Sequence, residues 1–139
     1  MPHLVIVYTP NIKTDFDVLC RTLCDTLLSI HDEQDKPAYP PGGTRVMAFP
    51  AAHYAVADGK QDYAFMYLNL RIFGGRSEAV TKQTGDSVLA ATRRLMEPVI
   101  ASQPIGITLQ IDETPKVMPG SLVQSYEDRH NTLHALFGR

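Results

Sequence analysis

The sequence predicts an α/β (α+β) domain: two consecutive βαβ units whose four strands form one mixed sheet, with two helices on one face. Three observations predict it. Strand-like and helix-like hydrophobic periods alternate along the chain. In each half, a helix-period segment lies between two strand-period segments, which is the pattern of a parallel pair with a crossover helix. The chain has 139 residues, 44% hydrophobic and 20% charged, the size and composition of a single globular domain with a full core. The two units cover 1–56 and 57–113, similar in size but with little residue matching, and a tail with weaker signals covers 114–139.

The elements follow in order. Leu4 to Tyr8 are all apolar or aromatic, so a strand there is expected to be buried on both faces. Over 14–30, Phe16, Leu19, Cys20, Leu23, Leu27 and Ile30 recur at helical spacing, with Thr14 or Asp15 as the N-cap. The stretch DEQDKPAYPPGG is a loop by its proline, glycine and charge. A second strand is expected over 44–50, stopped by Pro50.

In the second half, Ala64, Met66, Leu68, Leu70 and Ile72 form an unbroken apolar strand face. Tyr63, Phe65, Tyr67, Asn69, Arg71 and Phe73 form the mixed face behind it. GGRS follows, and Ser77 is a good N-cap for a long amphipathic helix carrying Val80, Thr84, Val88, Leu95, Met96 and Val99. Pro98 is expected to kink or finish that helix. A fourth strand runs over 105–113, with Ile105, Ile107, Leu109 and Ile111 on one side.

Right-handed crossovers place both helices on one sheet face. The other face then lacks cover, yet Tyr63, Phe65, Tyr67 and Phe73 are aromatic. An apolar sheet face on a small domain implies a partner, and a homo-oligomer burying these faces is expected.

The formal net charge of -2 argues against a dedicated nucleic-acid binder. No stretch approaches a membrane span. The apolar run at 4–8 is too short for a signal-peptide core, which makes the cytoplasm the expected location. Cys20 and Cys24 lie one helical turn apart and read as small buried thiols, since the segment offers too few further ligands for a metal. His130 and His134 also stand four apart, again without an obvious third ligand. No nucleophilic triad, phosphate loop or dinucleotide fingerprint is present.

The chemistry-bearing candidates are few. Pro2 precedes the first strand, a position proline tolerates because it has no ladder N–H to lose. If Met1 is removed, Pro2 becomes a secondary amine fixed to a strand. A free α-amine has an ordinary pKa of about 7.7–8.0. An apolar pocket and nearby arginines lower that value, favouring a neutral base near pH 7. In GGRS, the glycines allow a tight strand-to-helix turn, and Arg76 is a permanent cation able to clamp a carboxylate, or simply a surface arginine on a turn. Arg45 begins the second strand and Arg71 lies late on the third. Either can face a cleft at a strand end, although a solvated role is the default for each. His53, Asp58, Tyr54, Tyr63 and Tyr67 have structural roles as their default.

Taken together, MPH at the start, ADGKQDYAFMYLNLRIFGGRS over 57–77 and HALF near the end resemble the 5-carboxymethyl-2-hydroxymuconate isomerase family of the tautomerase superfamily. The resemblance covers nearly the whole chain, with 9–50 matching only in pattern. It implies a tautomerase-like homotrimer without a cofactor, acting on a small anionic, unsaturated dicarboxylate, with an amino-terminal proline as catalytic base. Residue by residue, Pro2 takes the base position and Arg76 matches the substrate-holding arginine. A second family arginine falls on Gly43 here, while Arg45 matches the arginine that follows. Phe137, in HALF, is implied as a wall of the site. The implied reaction is removal of a carbon-bound proton by neutral Pro2 and its return further along the conjugated system. Two other readings remain open: a tautomerase-superfamily enzyme on another substrate, such as a phenylpyruvate-type tautomerase or a haloacrylate hydratase or dehalogenase, and a non-catalytic trimeric binding protein.

Overall fold

In the computed structural model of the protein, residues 1–114 and 132–137 are described. The order is β1 (His3–Tyr8), α1 (Phe16–Leu28), a single 3-10 turn (Pro41–Gly43), β2 (Arg45–Pro50), β3 (Ala64–Phe73), α2 (Glu78–Ser102), β4 (Ile105–Thr114) and α3 (Thr132–Leu136). The strands form one sheet in the order β2-β1-β3-β4. β1 pairs parallel with β2 and β3 parallel with β4, while β1 and β3 meet antiparallel. Each βαβ unit is therefore a parallel pair, and the units join through their first strands, which makes β1 and β3 central.

The core lies between the sheet and the helices. Leu4 and Ile6 from β1 and Met66, Leu68, Leu70 and Ile72 from β3 are fully buried. They meet Leu19, Leu23 and Leu27 of α1 and Val80, Val88, Met96 and Val99 of α2. These residues sit on one stripe of each helix because their spacing returns them to the same side every three or four positions. Asp15 caps α1, accepting from the N–H groups of Asp17 at 3.0 Å and Val18 at 3.1 Å. At the start of α1, Phe16 stacks on Tyr8, with ring centroids 3.6 Å apart. Ser77 caps α2 through Val80 N–H at 3.2 Å.

Three expectations need correction. Pro98 does not finish α2, which continues to Ser102. An interior proline costs a helix about 3 kcal/mol, and buried Met96 and Val99 on either side of Pro98 hold the last turns onto the sheet against that cost. β1 is buried on one face only: Val5 and Val7 are half-buried because, among the described residues, no layer covers their side. Tyr63 precedes β3 instead of standing on it, and its hydroxyl bonds Asp58.

Candidate active site

Pro2 sits at the start of a central strand and is buried. Its carbonyl accepts the N–H of Arg45 at 3.0 Å, which ties it to the start of β2. The antiparallel register pairs His3 with Arg71, so Pro2 falls beside Ile72, near the end of β3. Met1 is itself packed, at 7% exposure. Its removal therefore frees volume directly beside the new amine.

Arg76 lies three residues beyond Phe73, at the same end of the sheet. Gly75 makes the turn with φ 111°, a left-handed conformation open to glycine and costly for other residues. The side chain of Arg76 is held from three directions. Its Nε and Nη2 both donate to the Ala38 carbonyl, at 3.0 and 2.8 Å, and Nη1 donates to the Phe73 carbonyl at 2.8 Å. The guanidinium also lies over the Tyr39 ring, 4.4 Å from its centroid, a favourable cation–π distance. Three of five N–H donors are thereby used, leaving one on each Nη.

Tyr39 is fixed in turn. Thr84 donates its hydroxyl to the Val80 carbonyl at 2.8 Å, so the 2.8 Å contact between Tyr39 and Thr84 has the tyrosine as donor. Burial pushes the Tyr39 hydroxyl pKa above its ordinary value, with Thr84 and Arg76 pulling the other way. Tyr39 was not a candidate from sequence. An aromatic residue in a proline-rich loop gives no periodic signal, and its partner Thr84 is 45 residues away.

Arg45 and His3 meet on the opposite face of the sheet. Arg45 Nη1 lies 2.6 Å from His3 Nε2. A guanidinium has no acceptor, so Arg45 donates, and His3 is a neutral imidazole with its proton on Nδ1. Sequence reading did not single out His3, because the pairing depends on strand register. Arg76 and Arg45 thus approach the Pro2 end from different sides, Arg76 from the helix side and Arg45 from the helix-free side.

The tail reaches this end too. His134 is buried at 3% exposure and packs on Gly42. A Cβ at Gly42 would stand 2.9 Å from the His134 Cα, so only glycine admits this approach. Gly42 and Gly43 belong to the 3-10 turn leading into β2, which places α3 near Arg45 and Pro2 in the fold. Phe137 follows α3, 54% exposed. His130 lies outside the described residues.

Other features carry less. A cleft of about 590 Å³ between the start of α2 and the end of β4 is lined by Arg76, Thr81, Lys82, Ile111 and Glu113, but not by Pro2. Cys20 and Cys24 are free thiols, half-buried on the flank of α1 and not buried as their spacing suggests. Burial, then Asp17 and Cys24, push the Cys20 thiol above its ordinary pKa, which makes it a poor nucleophile. Among the described residues, no group of three or more His, Cys, Asp or Glu side chains is placed to hold a metal, and no helix is long and apolar enough to cross a membrane.

Known proteins align with this architecture. The family model described as 5-carboxymethyl-2-hydroxymuconate isomerase matches residues 2–137. The 5-carboxymethyl-2-hydroxymuconate Delta-isomerase of Escherichia coli is 24% identical over 139 residues, covering 99% of each chain. A solved 5-carboxymethyl-2-hydroxymuconate delta-isomerase is 40% identical, covers 99% of this chain and 93% of its own, and superposes with a TM-score of 0.84. At 10% identity, a fused 4-OT wild-type symmetric trimer shares the fold alone, with a TM-score of 0.62 over 82% of this chain and 88% of its own. A match spanning the chain from Pro2 to Phe137, on a mixed sheet of two βαβ units, shows that this chain belongs to the 5-carboxymethyl-2-hydroxymuconate isomerase family.

Proposed function

We propose that the protein moves a proton along an unsaturated hydroxy or keto polycarboxylate, with Pro2 as the base once Met1 has been removed. One observation carries this: Pro2 is buried at the head of a central strand, and Arg76 is anchored at the same end with two N–H donors unspent. A carboxymethyl-substituted muconate, the substrate class named for the relatives, carries three carboxylates, so the dicarboxylate expected from the resemblance undercounts its charge.

Arg76 is pre-organised, so little side-chain freedom is lost when it takes a carboxylate end-on. Burial and the guanidinium charge both disfavour a protonated amine at Pro2. The neutral nitrogen removes a proton from a carbon made acidic by conjugation to a carbonyl. The electron pair moves into a dienolate, whose charge the surrounding donors stabilise. The ammonium then returns the proton further along the system, and the atoms balance without a co-reactant. Phe137 is assigned to walling the site and Arg45 to the carboxylates, by the resemblance and by their place at this end of the fold.

A homotrimer belongs to the same proposal. Val7, Phe49 and Tyr67 lie in one row on the helix-free face, and the 4-OT relative that shares the fold is a symmetric trimer. Cytoplasmic action is consistent with the two free thiols.

The test is Pro2→Ala in protein shown by intact mass to lack Met1. General acid–base catalysis contributes about 10²–10⁴-fold, so kcat is expected to fall by at least about 10²-fold. Wild-type turnover in this variant, whose terminus keeps only a primary amine, would exclude a requirement for the prolyl nitrogen as base.

A further inference from the structure

Two arginines flank His3 on the side of the sheet that the helices leave open. His3 is in register with Arg45 on β2 and with Arg71 on β3. Residues directly opposite in paired strands hold their Cβ atoms about 4.5–5.5 Å apart and project from the same side. Arg45, His3 and Arg71 therefore form one cross-strand row, one residue along from Pro2. Arg76 is on the other side, over Tyr39 in the helix layer.

The two guanidiniums are held differently. Arg45 is fixed by His3 at 2.6 Å. Among the described residues, the Arg71 side chain makes one hydrogen bond, from Nε to Asn69 Oδ1 at 3.3 Å, and its two Nη groups make none. Asp112 stands opposite Arg71 in register and attracts it. However, its oxygens already accept from Asn69 Nδ2 and Gln110 Nε2, each at 2.8 Å. Asp112 screens Arg71 without clamping it, and the Nη groups stay available to an incoming anion.

We propose that Arg71 is a specificity residue that takes a second carboxylate of the substrate. Arg76 holds one carboxylate on the helix side, Arg71 beside the His3-held Arg45 holds another on the open side, and the substrate straddles the sheet end across the Pro2 nitrogen. This rests on the isomerase reading above. It supplies a cation for the charge that Gly43 leaves unmatched, and it selects for polycarboxylates over monocarboxylates.

The experiment compares wild-type protein lacking Met1 with Arg71→Met and Arg71→Lys. Calorimetry with adipate and with hexanoate measures binding without requiring turnover. Hydrogen bonds to charged groups are strong enough that losing one weakens affinity by roughly tenfold or more. Adipate affinity is expected to fall by that factor in Arg71→Met, with hexanoate unchanged and partial recovery in Arg71→Lys. In turnover of 5-carboxymethyl-2-hydroxymuconate, KM should rise while kcat stays within a few-fold. Adipate affinity unchanged in Arg71→Met, or wild-type protein that does not prefer adipate to hexanoate, overturns the proposal. A wild-type protein that binds adipate but turns nothing over overturns the isomerase reading, and the adipate contrast still judges Arg71.

Discussion

The two faces of the sheet follow different rules. The covered face is aliphatic from edge to edge: Leu4 and Ile6 on β1, Met66, Leu68 and Leu70 on β3, and Ile107, Leu109 and Ile111 on β4. The open face runs in three cross-strand rows of increasing polarity. Phe49, Val7, Tyr67 and Thr108 form the first, Met47, Val5, Asn69 and Gln110 the second, and Arg45, His3, Arg71 and Asp112 the third. Burial holds the fold on one side. On the other, apolar residues suited to contact with another subunit grade into charged residues suited to a ligand, and the charged row lies at the Pro2 end. Two faces of the same strands can divide in this way because successive side chains point to opposite sides.

The largest effect separates the faces by stability. Leu68 has no exposed surface. Leu68→Ala is expected to cost about 2–5 kcal/mol, from lost burial and the cavity left behind. Its neighbour Tyr67 is half-buried on the open face, with its hydroxyl donating to Gln110 at 3.1 Å. Tyr67→Phe should cost far less. Denaturation midpoints at fixed protein concentration measure both, and equal losses would break the contrast.

That contrast also marks what the sequence could reveal. The covered face was legible because burial imposes a period: the alternation in 64–72 and the three-and-four spacing of α1 survive without knowledge of any partner. Pro2 and Arg76 stood out as candidates because each stands in a local motif, MPH or GGRS. The open face was legible only as a mixed pattern on β3. Its charged row arises when three other strands lie beside or across from one another, and no local spacing encodes that the order is β2-β1-β3-β4. The same holds for Arg45 with His3, 42 residues apart, and for His134 seated on Gly42. Pro98 misled for the opposite reason: a strong local signal was outweighed by tertiary packing at Met96 and Val99.

A second effect separates the faces by assembly. Val7 lies in the apolar row, and Ile6, the next residue back, is fully buried on the covered side. Ile6→Asp should unfold the subunit, because a carboxylate would be buried without a partner. Val7→Asp should leave the subunit folded and disrupt the proposed trimer, since the charge would fall in the proposed contact between copies. Light scattering with circular dichroism reads both outcomes. A Val7→Asp protein that remains trimeric would remove this row from the interface.

The smallest effect tests whether the polar row contributes to the fold at all. Hydrogen bonds from Asn69 and then Gln110, with a minor attraction from Arg71, hold the Asp112 carboxyl below its ordinary pKa. A carboxyl depressed in the folded state stabilises above its unfolded pKa, near 3.9, and that stabilisation is lost as pH falls through the folded value. Asp112 is half-buried on the open face, where solvent screening keeps the contribution small. Asp112→Asn should therefore melt slightly below wild type at neutral pH, and the two curves should converge in acid, once the pH is below the depressed folded-state value. A gap that persists in acid would mean that Asp112 acts through packing, not charge. A gap that widens in acid would mean instead that the ionised carboxyl is less favourable in the folded state than the neutral acid, the opposite of the sign expected from its hydrogen bonds.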